Sequence, residues 1–202
     1  MKKIICLLVM CILIVYTQAQ DSITVSSGGT TIVSGIDVTG TKTICTGSSL
    51  SLTVAYSGFI DHIAWVANPG GTGAFTPNNT NLTVTVTPSG TTDYFVYVYD
   101  APAHYVGYVR VTVFLASLPA TQTITVDGAP VLNGSYCQGE LGNVAGLQTS
   151  QVGYIYELQE SLAPNTVRAS VTGTGTAISF PAQLAGSYRV VATSPVGCQI
   201  IF

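Results

Sequence analysis

The sequence predicts an all-β chain: two tandem two-sheet sandwich domains behind an N-terminal export leader. Three observations carry this. Thr91–Asp100 (TTDYFVYVYD) and Tyr105–Phe114 (YVGYVRVTVF) alternate at period 2. Tyr94, Val96 and Val98 fall on one face with Phe95, Tyr97 and Tyr99 on the other, while Val109, Val111 and Val113 oppose Tyr108, Arg110 and Thr112. Two adjacent antiparallel strands with one buried face read this way. A weaker copy recurs in the last third of the chain, where GSYRVVATS (Gly186–Ser194) leads into GCQIIF (Gly197–Phe202). Short β-prone runs alternate with turn signals throughout, and no helical period appears after the leader. That pattern favours two-sheet sandwiches, with an open barrel of similar strand count as the alternative.

The leader spans residues 1–19. Lys2 and Lys3 make a positive start, Ile4–Tyr16 is an apolar run of 13 residues, and Thr17-Gln18-Ala19 supplies small residues at −3 and −1. These are the parts of a secretory signal peptide cleaved after Ala19. The alternative is a retained anchor, but the run falls short of the ~20 residues that span a bilayer. Val9 and Met10 ahead of Cys11 argue against lipidation there. No later run approaches spanning length, so the chain is expected to be secreted or held at the cell surface without a membrane span once cleaved. Charged residues make up only 7% of the chain. Without Lys2 and Lys3, 4 basic face 9 acidic side chains, a net −5. No basic stripe exists, which excludes nucleic acid as an expected partner.

The first sandwich is expected over residues 20–116. Asp21–Thr43 is rich in Gly, Ser and Thr, with β-prone pieces at Ser22–Val25 and Thr30–Val33, and reads as a leading edge strand with loops. Next come a strand with Leu50, Leu52 and Val54 on one face and, after Ser57-Gly58, DHIAWVA with Ile63 and Trp65 inward. NPGGTG (Asn68–Gly73) is a turn, GAFTP a short strand and LTVTVTP a strand with Leu82, Val84 and Val86 inward. The central core residue is expected to be Trp65, beside an inward Tyr94 whose hydroxyl bonds the backbone of the preceding corner. Pro119 within ASLPA interrupts pairing, so the second sandwich is expected over 117–202. Its strands are read in TITVDG, APVLNG, YCQGELGNVAGL, GYIYELQES, TVRASVTGTG, TAISFPA, GSYRVVATS and GCQIIF.

Overlaying the copies sets Ile44-Cys45-Thr46-Gly47 on Tyr136-Cys137-Gln138-Gly139, 92 positions later, and Gly107-Tyr108 on Gly197-Cys198, 90 positions later. After export, three cysteines meet an oxidising environment. The overlay makes Cys137–Cys198 the expected disulfide, with Cys45 left over because Tyr108 stands where its partner would be. A link from Cys45 to either residue would contradict that overlay.

At these residues the sequence resembles a known class. The order C-x-G, a GY run, TGTGTAISF and AGSYRVVATSPVGC is similar to immunoglobulin-like repeats of large surface and secreted proteins of gliding and gut-dwelling bacteria, many of them type IX secretion cargo. LSLTV, IAWVA, LTVTVTP, TTDYFVYVYD and VRVTV in the first copy resemble PKD-like variants of that class. The resemblance covers Cys45–Phe202 and implies a non-catalytic repeat that serves as spacer or adhesive part of a cell-surface protein. Its partners would be other repeats of the same or a larger surface protein, or a glycan or protein surface. Two departures stand out: the first copy lacks its second cysteine, and the chain stops at Phe202 before the residues that complete the last strand and the C-terminal sorting domain such cargo carries. The second domain is therefore expected to be truncated.

No constellation points to an enzyme, a cofactor or a metal. His62 and His104 are the only histidines and have no ligand spacing. Asp61 and His62 are neighbours expected on opposite strand faces, which disfavours a triad. Glu157 and Glu160 read as an exposed strand end flanking a turn, not as a glycosidase pair. Asp93, Asp100 and Asp127 are the carboxylates that a sandwich could offer to calcium, without an EF-hand spacing. Thr172–Thr176 (TGTGT) lacks the lysine and helix of a phosphate loop and reads as a turn.

Folding alone least explains the outer face of the Tyr94 hairpin. With Tyr94, Val96 and Val98 inward, Phe95, Tyr97, Tyr99 and Tyr108 share the outer face with Arg110, and such a cluster marks a binding or domain contact. These five residues are the candidate ligand-binding set. The cluster could instead be covered by the chain's own N-terminal segment. If the set binds sugar through ring stacking, the alternative function is a carbohydrate-binding accessory region of a secreted hydrolase.

Overall fold

The computed structural model describes residues 21–71, 74–130 and 142–202. Its secondary structure is all β, arranged as two immunoglobulin-like sandwiches with separate cores. The leader at 1–19 lies outside the described residues.

In the first sandwich, β1 (Ile23–Ser27), β2 (Thr30–Gly35), β4 (Leu50–Tyr56) and β6 (Thr83–Val86) form one sheet in the order β2-β1-β4-β6. The facing sheet runs β3-β8-β7-β5, from β3 (Val38–Cys45), β8 (His104–Ala116), β7 (Thr92–Ala101) and β5 (His62–Asn68). Alternation sends Leu50, Leu52, Val54, Ile63, Trp65, Val84, Val86, Tyr94, Val96, Val98, Val109, Val111 and Val113 into one core. Trp65 is fully buried opposite Val96, and its indole Nε1 donates to the Asn81 carbonyl at 3.0 Å, so burial leaves no donor unpaired. Phe75 lies 6.1 Å from the Trp65 ring and 5.8 Å from that of Tyr94.

The second sandwich pairs the sheet β10-β9-β11-β14, from β10 (Ala129–Pro130), β9 (Ile124–Val126), β11 (Ala145–Leu147) and β14 (Ile178–Ser179), with β13-β12-β15-β16. The latter are β13 (Val167–Thr172), β12 (Ile155–Glu160), β15 (Tyr188–Thr193) and β16 (Gln199–Ile201). Leu147, Tyr156, Leu158, Ile178, Phe180, Val190 and Ala192 fill its core. The two orders correspond: β2-β1-β4-β6 matches β10-β9-β11-β14, and the ladder β5-β7-β8 matches β12-β15-β16. Both entry hairpins turn on two positive-φ residues, Gly28-Gly29 and Asp127-Gly128, which suits the right-handed strand twist. The copies part at the sheet edge, where the first adds β3 parallel to β8 and the second adds β13 antiparallel to β12.

Several expectations are corrected. The disulfide is Cys45–Cys198, with 5.6 Å between Cα atoms, and not Cys137–Cys198. Cys137 lies outside the described residues. Cys45 ends β3 beside Ala116, where the chain leaves the first sandwich, and Cys198 sits in the loop before β16. An overlay compares positions within copies and cannot see that the ends of two copies meet, so it fails as a guide to pairing although the strand orders match.

The segment expected as loops before Thr43 contains β3. Leu82 is 50% exposed, because it lies in the bend before β6 begins at Thr83. GAFTP forms no strand in its described part, Ala74–Pro77, only a bridge of Thr76 to Thr85, although Phe75 is buried. Asp61 and His62 do not point apart: Asp61 precedes the strand and its carboxylate reaches His62 Nδ1 at 2.7 Å. Glu157 and Glu160 both lie within β12 and do not flank a turn.

Candidate functional site

The outer face of β3-β8-β7-β5 is set by the register of three antiparallel strands. β7 pairs His62 with Tyr99, Ala64 with Tyr97 and Val66 with Phe95 on β5, and Phe95 with Arg110 and Tyr97 with Tyr108 on β8. The five predicted residues therefore come together on one face, and all are half-buried. Their rings form a continuous row: Phe95 to Tyr97 at 6.3 Å, Phe95 to Tyr108 at 5.9 Å and Tyr97 to Tyr108 at 5.8 Å between centroids. Flanking Ala64 and Val66 are small, so β5 sets no large side chain beside Tyr97 and Phe95.

Two members were missed by sequence reasoning. Tyr105, 46% exposed, lies 5.6 Å from Tyr99 and 6.3 Å from Tyr97. Strict alternation puts it with the inward Val109 and Val111. A bulge intervenes, since Val98 pairs with Gly107 and Tyr99 with Tyr105, so Val106 is extra and Tyr105 is turned outward. The second is His62, whose ring stacks on Tyr99 at 4.3 Å with 6° between planes. A histidine at an outward position opposite an outward tyrosine was the available signal.

The charges on this face are engaged internally. Arg110 Nε donates to Thr39 Oγ1 at 3.1 Å, and its guanidinium lies 3.7 Å from Asp93, which also accepts from Thr112 Oγ1 at 2.6 Å. At the other end Asp61 holds His62, and Asp100 meets His104 Nδ1 at 2.5 Å. Partial burial among the rings, with the Asp37 carboxylate nearby, raises the pKa of the Tyr105 phenol. The N-terminal strands do not cover the row among the described residues: β1 and β2 belong to the opposite sheet, and β3 lies at the edge beyond β8.

The remaining candidates do not assemble. Among the described residues no three His, Cys, Asp or Glu side chains gather as for a metal ion. Asp93 and Asp100 are paired as above, and Asp127 Oδ1 accepts from the Val144 N–H at 2.9 Å. Glu160 pairs with Arg168, and Glu157 accepts from Gln159 Nε2 at 2.9 Å. The corner hydrogen bond expected of Tyr94 occurs instead at its counterpart in the second sandwich, where Tyr188 Oη donates to the Leu184 carbonyl at 3.0 Å. No helix of the described residues is long and apolar enough to cross a membrane.

No family model matches the chain, and no curated protein does. Among solved structures it is similar to the fibronectin(III)-like modules of Clostridium thermocellum CbhA, at 12% identity and a TM-score of 0.42, over 88% of this chain and 90% of that one. A likeness at this level says nothing of ligand or activity.

Proposed function

We propose that this chain is an exported, non-catalytic tandem of immunoglobulin-like modules that serves as spacer and adhesive part of a bacterial cell-surface protein. Repeats of the PKD-like, type IX cargo kind are its nearest description, with residues 1–19 as the cleaved signal peptide, 20–116 and 117–202 as the modules and further repeats of a larger protein as neighbours. The single observation that carries the adhesive role is the outward aromatic row Phe95, Tyr97, Tyr99, Tyr105 and Tyr108. A disulfide suits the oxidising compartment that export implies.

The row fits a neutral polysaccharide. Its rings offer apolar surface, its phenols and the flanking Asp93, Arg110, Asp61 and His62 offer hydrogen bonds, and the carboxylates of Asp93 and Asp61 already have partners within the face. A single-stranded nucleic acid would also stack on such rings but needs a basic groove, which the face lacks. The same row supports the second reading, an accessory region of a secreted hydrolase, and the full reading frame separates the two by showing further repeats or a catalytic domain.

Retention on insoluble neutral polysaccharides tests the site. The wild type is expected to be retained and Tyr97→Ala to lose retention by tenfold or more at unchanged melting temperature, on the scale of the ~1–3 kcal/mol that an aromatic contributes to a stacked nucleic-acid base. Equal retention of wild type and variant would remove the row from the adhesive role.

A further inference from the structure

The Cys45–Cys198 bond joins one sandwich to the other. The peptide linker Ser117–Thr123 joins them as well, so the junction has two covalent connections. Both start from the same place in the first sandwich. Cys45 pairs with Ala116, the last residue of β8, and Thr46 ties the two strand ends with its N–H and its Oγ1, which donate to the Ala116 carbonyl at 2.9 and 3.1 Å.

They arrive at the same end of the second sandwich. The linker is received by the loop after β11, where Gln148 N donates to the Thr123 carbonyl at 3.1 Å and Ala120 N donates to Gln151 Oε1 at 2.8 Å. The disulfide is received by the loop after β15. There Ser194 N donates to the Cys198 carbonyl and Ser194 Oγ accepts from the Cys198 N–H, which leaves the cysteine 1% exposed. These loops are neighbours because Ile155, which opens β12, pairs with Thr193, which closes β15.

We propose that the disulfide is a clamp that fixes the orientation of the second sandwich relative to the first. A body held by one flexible tether rotates about every axis through it, whereas one held at two neighbouring points keeps chiefly the rotation about the line between them. The Ala120–Gln151 hydrogen bond opposes that remaining rotation. Without the clamp, the junction would rest on the linker alone between two separate cores, for which relative motion is the ordinary outcome. The clamp thereby holds the aromatic row of the first sandwich at a set angle to whatever follows the second. Opening it needs an external dithiol, which supplies two electrons and two protons: the Sγ–Sγ bond breaks, two thiols form, and the dithiol becomes a disulfide.

Residual dipolar couplings on the full chain provide the test, with oxidised and dithiothreitol-reduced wild type, Cys45→Ser and Cys137→Ser. In the oxidised wild type and in Cys137→Ser, both sandwiches are expected to report one shared alignment tensor. In Cys45→Ser and in the reduced wild type, that shared tensor is expected to be lost while the amide spectrum of each sandwich persists. Reduction of the wild type keeps the test decisive if Cys45→Ser does not fold. A shared tensor that survives both treatments would overturn the clamp, as would non-reduced peptides joining Cys137 to Cys198.

Discussion

Trp65 is the residue on which the first core depends. It is fully buried between Val96 on the neighbouring strand and the Phe75 ring, and its N–H is paired, so neither packing nor polarity is left unsatisfied. Trp65→Ala removes that volume from a close-packed site and is expected to cost about 3–5 kcal/mol, enough to unfold a module of this size. Thermal melting followed by near-ultraviolet circular dichroism checks it, and an unchanged midpoint would contradict the burial. Tyr94 gives a second residue-scale prediction. Burial raises its phenol pKa above 10.0, only partly countered by the Thr92 hydroxyl. The folded state therefore holds this proton more tightly than the unfolded chain does, so the contribution is full below the unfolded value and is lost as pH rises through the folded one. Stability should fall above about pH 10, and Tyr94→Phe should make that decline shallower in denaturant titrations across the alkaline range.

At the scale of elements, legibility followed the strength of alternation. β4, β5, β7 and β8 were readable because their inward residues are large and aliphatic and their partners near in sequence. β3 was not. VTGTKTIC puts Gly40 and Lys42 where a reader looks for apolar residues, and its partner β8 runs parallel, far along the chain. Gly40 is required by closeness, since a Cβ there would stand 2.7 Å from the Val33 Cβ. Gly107 is required likewise, because its own Cβ would meet Ile36 Cγ2 at 2.5 Å. Gly107→Ala should thus push Ile36 away and loosen the docking of β3, at about 1–3 kcal/mol, seen as faster amide exchange along Val38–Cys45 while β5 remains protected. The candidate face was legible for its period-2 members and illegible where a bulge reset the parity, which is why Tyr105 escaped.

The whole molecule was legible as a duplication, but the bond between its halves was not, because pairing depends on which loops meet and not on how copies align. That bond stabilises each half through the other. With the first sandwich folded, Cys45 is held beside Ala116, so unfolding the second sandwich leaves a closed loop from there to Cys198. A loop of ~80 residues corresponds to about 4 kcal/mol in the chain-entropy model. Dithiothreitol should accordingly lower the melting midpoint of the second sandwich, whose core holds fewer large side chains, by a margin resolvable in calorimetry. A midpoint insensitive to reductant would show that the unfolded chain gains nothing from losing the bond.

The same bond decides how the chain carries a pulling load. Tension applied between Asp21 and Phe202 runs along the backbone to Cys45, crosses the sulfurs to Cys198 and leaves by the last few residues. The chain between the cysteines, which stand 153 positions apart, hangs off that path, so most of both sandwiches bears no covalent load while the disulfide holds. At ~3.3–3.6 Å per extended residue, roughly 500 Å of contour is withheld from stretching. Force spectroscopy on the oxidised chain should therefore record only short extensions, and added reductant should release the missing length.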